Sequence, residues 1–321
     1  MAIKVDRSNF TVAETDHYFR NHLQEHPVNT IRHSRGFSTV ESQVVIRENK
    51  DCLYSHAVVD VSEGAYLANP AWDRYSIIQV IDENQYSFAH LYPGESLTIT
   101  PDMVTRGHHV WLNIRTEVRP ENGAGFYDAH RHQDAYVVRA SSAKPYVSKG
   151  FDPESLAATR MELLLLSSTV DTWEAFGTAE TVKPGPFLIA SAGGWAGLPK
   201  EHAIYYPKIV PPATAAALEP SAITVKLPPL RYDEGGFFSV TTYGPDAFIA
   251  TEDYALNHRT ASANDDGTYT FHFNAPGMPN NMSTVTGWNM VLRMYLPETF
   301  EAVMEYLDEL ERNNISIKPI G

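Results

Sequence analysis

The clearest pattern of apolar and polar positions lies toward the C-terminus, between Gly235 and Leu296. From Trp288 to Leu296 the even positions are Trp288, Met290, Leu292, Met294 and Leu296; the odd ones are Asn289, Val291, Arg293 and Tyr295. A period of two sends the two sets to opposite faces of a strand. One face suits a core, while the other carries an amide, a guanidinium and a phenol. Asp265 to Gly277 alternates in the same way, and Gly235 to Arg259 breaks into short apolar runs with turns between them. This stretch predicts four or five strands.

The first half predicts a second set. Gln43 to Val61 reads as strand, turn, strand, with Glu48-Asn49-Lys50-Asp51 as the turn. Beyond the turn, Leu53, Ser55, Ala57, Val59 and Val61 suit a core, and Tyr54, His56, Val58 and Asp60 face away. Tyr75 to Ile81, Tyr86 to Tyr92 and Leu97 to Thr100 follow as strands. From His109 to Val118, the set Val110, Leu112, Ile114, Thr116 and Val118 alternates with His109, Trp111, Asn113, Arg115 and Glu117. The second set reads either as a solvated sheet face or as a docking face for a domain or ligand. Turn signals recurring from Arg35 to Pro120 indicate an all-β sandwich.

Helical patterns fill three places. Thr11 to Glu25 carries a Thr11–Glu14 capping box and ends at Pro27. Asp152-Pro153-Glu154 starts a helix through Leu166, apolar enough to lie between layers. Glu298 to Glu311 is amphipathic, with Phe300, Val303, Met304 and Leu307 on one side. The segment from Lys183 past Gly197 reads as strand and turn. The expected order is a helical arm over 1–34, a first β-sandwich over 35–120, a helical connector over 121–180, and a second β-sandwich with a C-terminal helix over 181–321. The fold class is mainly β.

Charge changes the picture most. A formal charge of −14 disfavours nucleic acid and anionic lipid, which need a basic surface. It leaves room for a small anion, because a few arginines reverse the field inside a pocket. The single cysteine, Cys52, permits no intrachain disulfide. The opening residues show no signal-peptide pattern and no apolar run reaches about 18 residues. The expectation is a soluble, cytoplasmic chain with no membrane partner.

Two histidine motifs suggest metal. His22-Leu-Gln-Glu25-His26 matches H-x-x-E-H, with both histidines on one helical face; the competing reading is a solvated polar helix end. His130, His132 and Asp134 share a face only on a strand, whereas the surroundings favour a helix. Neither motif assigns a metal, and no organic cofactor is predicted.

The run Arg47, Asn49, Asp51, Leu53, Tyr54, Ser55, continued by the strands to Val118, resembles the family called domain of unknown function 1254, with Cys52 where threonine is expected. Gly235 to Pro297 resembles its usual companion, domain of unknown function 1214. Together the two cover about four-fifths of the chain. The resemblance implies an immunoglobulin-like sandwich, a helical connection and a jelly-roll-like sandwich, and no established reaction.

Three functional readings follow. The first is a cofactor-independent enzyme, of hydrolase or lyase type, acting on a small polar or carboxylate-bearing metabolite in a cleft between the sandwiches. Asp51, Tyr54, His56 and His258 are its candidate catalytic residues, for proton transfer and oxyanion stabilisation. Arg47, Asn49, Arg259, Asn289 and Arg293 are its candidate substrate-binding residues, because arginine holds a carboxylate through two parallel hydrogen bonds. The second reading is a non-catalytic ligand-binding or homo-oligomeric module that uses aromatics such as Trp111 at an interface. The third is a metal-dependent hydrolase.

Overall fold

The computed structural model describes residues 2–43, 46–119, 125–208, 210, 212–313 and 317–320. It is mainly β, and its contacts divide into two compact units, 1–36 with 52–199 and 37–51 with 200–321. The expected boundary at 180/181 therefore falls at 199/200. The expectation that residues 37–51 belong to the first sandwich is revised, since they pack with the second unit.

The first unit contains α1 (Phe10–Glu25), β1 (Arg32–His33), β2 (Cys52–Asp60), β3 (Ala65–Ala68), β4 (Ser76–Asp82), β5 (Ser87–Leu91), β6 (Ser96–Ile99), β7 (His109–Glu117), α2 (Gly125–Ala135), β8 (Val137–Ala140), α3 (Pro153–Leu164) and α4 (Pro184–Gly193). Its strands form a five-stranded sheet in the order β1-β2-β7-β4-β5 and a three-stranded sheet β6-β3-β8, antiparallel throughout. The core between the sheets holds Ala57, Val59, Leu67, Ile78, Val80, Ile99, Val110, Leu112 and Ile114. Of these, Ala57, Val59, Val110, Leu112 and Ile114 are alternate positions that the period of two assigns inward.

The opposite face of β2 and β7 is not solvated. Every residue of both strands is buried. α1 covers this face: Phe19 stacks on Trp111 at 5.9 Å, and His22 meets Trp111 edge-on at 5.3 Å. Trp195 adds an edge contact at 5.4 Å. Trp111 is thus consumed inside the unit and is not an exposed interface residue.

Three local expectations change. α1 begins at Phe10 with Asn9 before it, and no side chain caps its start. Glu14 is instead buried and holds Arg160 of α3 by two hydrogen bonds of 2.8 and 2.6 Å, so no Thr11–Glu14 capping box forms. α3 starts as expected, the Asp152 carboxylate accepting from the Ser155 amide, but it does not lie between layers. Leu156 and Leu163 pack with Val5, Phe10, Ala13 and Ala192, while Met161 and Leu165 are exposed. The apolar run at 184–193 is helical, not extended. A short apolar run carries no decisive period, and Pro184 fits a first helical turn, where its missing N–H has no partner to lose.

The second unit contains β9 (Ala203–Lys208), α5 (Pro212–Ala217), β10 (Ser221–Val225), β11 (Phe237–Tyr243), β12 (Ala255–Asn257), β13 (Tyr269–Phe273), β14 (Asn281–Met282), β15 (Asn289–Tyr295), α6 (Phe300–Arg312) and β16 (Lys318–Pro319). Two four-stranded sheets result, β12-β11-β15-β9 and β14-β13-β10-β16. Phe238 on the first meets Tyr269 and Phe271 on the second, with centroids 5.4 and 6.3 Å apart, so the even face of β11 looks into the space between these sheets. α6 is capped by Thr299, whose hydroxyl accepts from the Ala302 amide.

Candidate functional site

The register of the β12-β11-β15-β9 sheet lines up polar side chains on its other face. Ser239 of β11 lies opposite Asn257 of β12 and Arg293 of β15, and Arg293 lies opposite Tyr205 of β9. Four residues along, Tyr243 pairs with Asn289; two residues the other way, Phe237 pairs with Tyr295. Strand pairing alone thus gathers a guanidinium, two amides, a hydroxyl and three phenols.

The segment 46–51 lies on this face. Among the described residues it is not the strand expected before the turn, and 44–45 fall outside the description. Arg47 has φ of 59°, a left-handed conformation that breaks an extended run and is uncommon for a side chain of this size. Two side chains hold the turn by three hydrogen bonds. The Tyr243 hydroxyl donates to the carbonyls of Arg47 and Glu48 at 3.2 and 2.7 Å, and Arg293 Nη2 donates to the Arg47 carbonyl at 2.7 Å. The Arg47 amide is bonded to the Ala247 carbonyl at 3.2 Å.

Each side chain of the segment then meets one row of the sheet. Arg47 Nη1 donates to Asn289 Oδ1 at 3.2 Å, and its guanidinium sits 5.7 Å from the Tyr243 ring centre. Asn49 Nδ2 donates to the Tyr295 hydroxyl at 2.6 Å. Asp51 accepts from Ser239 Oγ at 2.7 Å and from Asn257 Nδ2 at 3.1 Å. Arg293 lies 5.4 Å from the Tyr243 ring and 5.9 Å from the Tyr205 ring. Glu48 is buried and accepts from Ser38 Oγ.

Burial and like charge set the electrostatics. Arg47 is half-buried, and its guanidinium is pushed down to about 10 by desolvation, with the Tyr243 phenol opposing and the Arg293 charge adding to the fall. Burial raises the Asp51 carboxyl above its ordinary 3.8, against the hydrogen bonds from Ser239 and Asn257 and the charges of Arg293 and Arg259. Burial likewise raises the Tyr243 phenol, so it stays a neutral donor. The result is two neighbouring cations, one reaching the surface, and a carboxyl that retains its proton more readily than a free aspartate.

The sequence-predicted residues divide into three groups. Arg47, Asn49, Asp51, Asn289 and Arg293 come together on this face. Arg259 stands beside them, but Nη2 donates to the carbonyls of Gly235 and Gly236 at 3.3 and 3.2 Å, and its guanidinium lies 5.5 Å from the Phe237 ring. His258 is not in the group. Its ring stacks on Phe238 at 5.5 Å and meets Tyr232, on the face turned away from Ser239, and burial pushes it down to about 4. Tyr54 and His56 belong to the first unit, where Tyr54 lies under the Arg115 guanidinium at 5.7 Å and His56 packs on Trp111 at 5.0 Å. Ser239 and Tyr243 were not singled out by the sequence, and the Tyr295 phenol was placed on the polar face of its strand without being named a site residue. They occupy alternate positions of β11 and β15, a signal readable only once the register is known.

The metal motifs are occupied otherwise. His130 Nε2 is bonded to the Arg35 carbonyl at 2.8 Å, and Asp134 pairs with Arg35. His132 Nε2 is bonded to Asn69 and Ser76, and its ring stacks on Trp72 at 4.1 Å. His22 is buried against Trp111, so the solvated helix end is also corrected. Among the described residues no three His, Cys, Asp or Glu are placed to hold one ion, and no helix is long and apolar enough to cross a membrane.

Comparison with known proteins agrees with this architecture. Residues 28–140 match the family described as Protein of unknown function (DUF1254). No curated protein matches the chain. The crystal structure of the VPA0106 protein from Vibrio parahaemolyticus is similar at a TM-score of 0.66, with 17% identity over 98% of both chains, a likeness of fold. An uncharacterised protein from Burkholderia cenocepacia is similar at a TM-score of 0.49, with 13% identity over 90% of this chain and 84% of that one.

Proposed function

We propose that the polar face of the β12-β11-β15-β9 sheet, closed by segment 46–51, binds a small carboxylate-bearing metabolite and moves a proton on it without an organic cofactor. One observation carries this reading: Arg47 is held in a left-handed turn, half-buried beside a second guanidinium, with the neutral amide of Asn289 as its hydrogen-bond acceptor. Strained backbone of this kind persists where the surroundings over-determine it, and such positions cluster at ligand sites. A carboxylate would accept from the Arg47 fork and relieve its repulsion with Arg293. Asp51, with its raised affinity for a proton, is the candidate acid or base. The likeness of Gly235 to Pro297 to domain of unknown function 1214 is part of the same reading.

The test is a thermal-shift panel of small mono- and dicarboxylates, since a ligand that binds only the native state raises Tm. A carboxylate present at about 100 times its Kd stabilises by about 2.7 kcal/mol. Arg47→Ala should abolish the shift while leaving the unliganded Tm within a few degrees. A panel with no shift, or an unchanged shift in Arg47→Ala, removes the site. Binding without turnover of any carboxylate in the panel would favour the non-catalytic module.

A further inference from the structure

The first unit holds a second group of polar atoms that the proposed site does not use. Under α1, the rings of His26, His22, Trp111 and His56 form a continuous row. His26 and His22 are 5.0 Å apart, His22 and Trp111 5.3 Å, and Trp111 and His56 5.0 Å. Among the described residues, Nε2 of all three histidines and Nε1 of Trp111 are buried without a hydrogen-bond partner. His22, His56 and Trp111 are 8%, 2% and 1% exposed. A buried polar atom left unpaired costs on the order of 1–3 kcal/mol, so four in one row mark a place built for a partner.

The character of that partner follows from the atoms. An indole N–H only donates, and an imidazole Nε2 donates in one tautomer or when protonated. The surrounding charge is positive. Arg32 of β1 bears on both His22 and His56, Arg115 of β7 bears on His56, and the histidines bear on one another. Asn113 of β7 hydrogen-bonds the His56 side chain. The Glu25 carboxylate lies 3.8 Å from His26 Nε2 with a side chain 80% exposed, which leaves it well solvated. Donors that outnumber acceptors in a positive field suit an acceptor that carries negative charge.

We propose that the His22–His26–His56–Trp111 row binds a small oxyanion of phosphate or carboxylate size, with the Trp111 indole N–H and the imidazole Nε2–H groups as donors. Burial, followed by the neighbouring cations, holds His22 down to about 4 and His56 well below its ordinary value, so these two rings are neutral near pH 7. An anion favours the protonated imidazoles, and binding therefore takes up protons and tightens as pH falls.

The experiment titrates inorganic phosphate into the full chain and follows the Trp111 indole and the histidine side-chain nitrogens by NMR, at two pH values about two units apart on the acid side of neutrality. One proton taken up tightens Kd about tenfold per pH unit. The expected result is a phosphate-dependent shift of the Trp111 indole and His56 Nε2, tighter at the lower pH. His22→Gln should weaken it at least tenfold, while Arg47→Ala leaves it unchanged and so separates it from the carboxylate site. A Trp111 resonance that phosphate does not move, an affinity independent of pH, or equal binding in His22→Gln overturns the proposal. Loss of the shift in Arg47→Ala does so too, since the response would then arise elsewhere. Because His22 is buried, the wild-type pH series carries the decision if that variant does not fold.

Discussion

Asp51 shows how a single side chain joins stability to chemistry. Burial raises its folded pKa above the ordinary 3.8. The sign follows from linkage: for an acid whose folded value is raised, the contribution to stability is full below the unfolded pKa and is lost as pH rises through the folded one. Above that point the protein carries a buried carboxylate whose desolvation is only partly offset by Ser239, Asn257 and the neighbouring guanidiniums. Asp51→Asn keeps the shape and most of the hydrogen bonds while removing the charge. It should be at least as stable as wild type near pH 8, with the advantage vanishing in acid, and it should abolish proton transfer on any carboxylate substrate. Urea unfolding at both pH values, alongside an assay of the wild-type substrate, checks this. A variant that is strongly destabilised near pH 8 would mean that the ionised form is needed for folding, which contradicts the assignment.

At the scale of elements, segment 46–51 has no ladder of its own, and its carbonyls depend on side chains. Tyr243 supplies a hydroxyl to two of them, and Arg293 supplies a guanidinium to one. Tyr243→Phe keeps the ring against both arginines and removes only the hydroxyl. The Glu48 carbonyl then loses its 2.7 Å donor in a buried place. The expected loss is about 1–3 kcal/mol by urea denaturation, with weaker carboxylate binding because the Arg47 backbone is left with its bonds to Arg293 and Ala247. An unchanged midpoint would show that the turn is fixed by other contacts. The contrast with α3 is instructive. There the sequence supplies its own cap, Asp152 followed by Pro153, and the helix starts where the residues say it does.

For the molecule as a whole, buried and half-buried histidines shape the response to acid. His22, His33 and His132 in the first unit and His202 and His258 in the second are each pushed down to about 4, in every case first by burial. Their unfolded values are near 6.5, so the unfolded chain takes up protons that the native chain refuses. Stability is full above that unfolded value and falls as pH drops from about 6.5 toward 4, by up to about 1.4 kcal/mol per pH unit for each proton. Chemical denaturation between pH 7 and 4 should therefore show a steep decline in both units, greater than carboxylate titration alone would give. A flat profile over that window would mean that these imidazoles are protonated in the native state.

Alternation in β2, β7 and β15 was enough to assign their core faces, because a strand's period of two does not depend on what it packs against. Asp152 likewise declared a helix start through local hydrogen bonds. The run at 184–193 was misread as extended because so short an apolar stretch carries no period, and tertiary packing made it helical. The polar residues Arg47, Asn49, Asp51, Asn289 and Arg293 were visible as an excess over what a core needs, but their meeting was not. It required the register that sets Ser239 beside Arg293 and the return of 37–51 to a sheet whose strands begin beyond residue 200. The second joins positions about two hundred residues apart, and local propensity encodes neither. For the same reason Tyr54 and His56, only a few residues from Asp51 along the chain, belong to a different core.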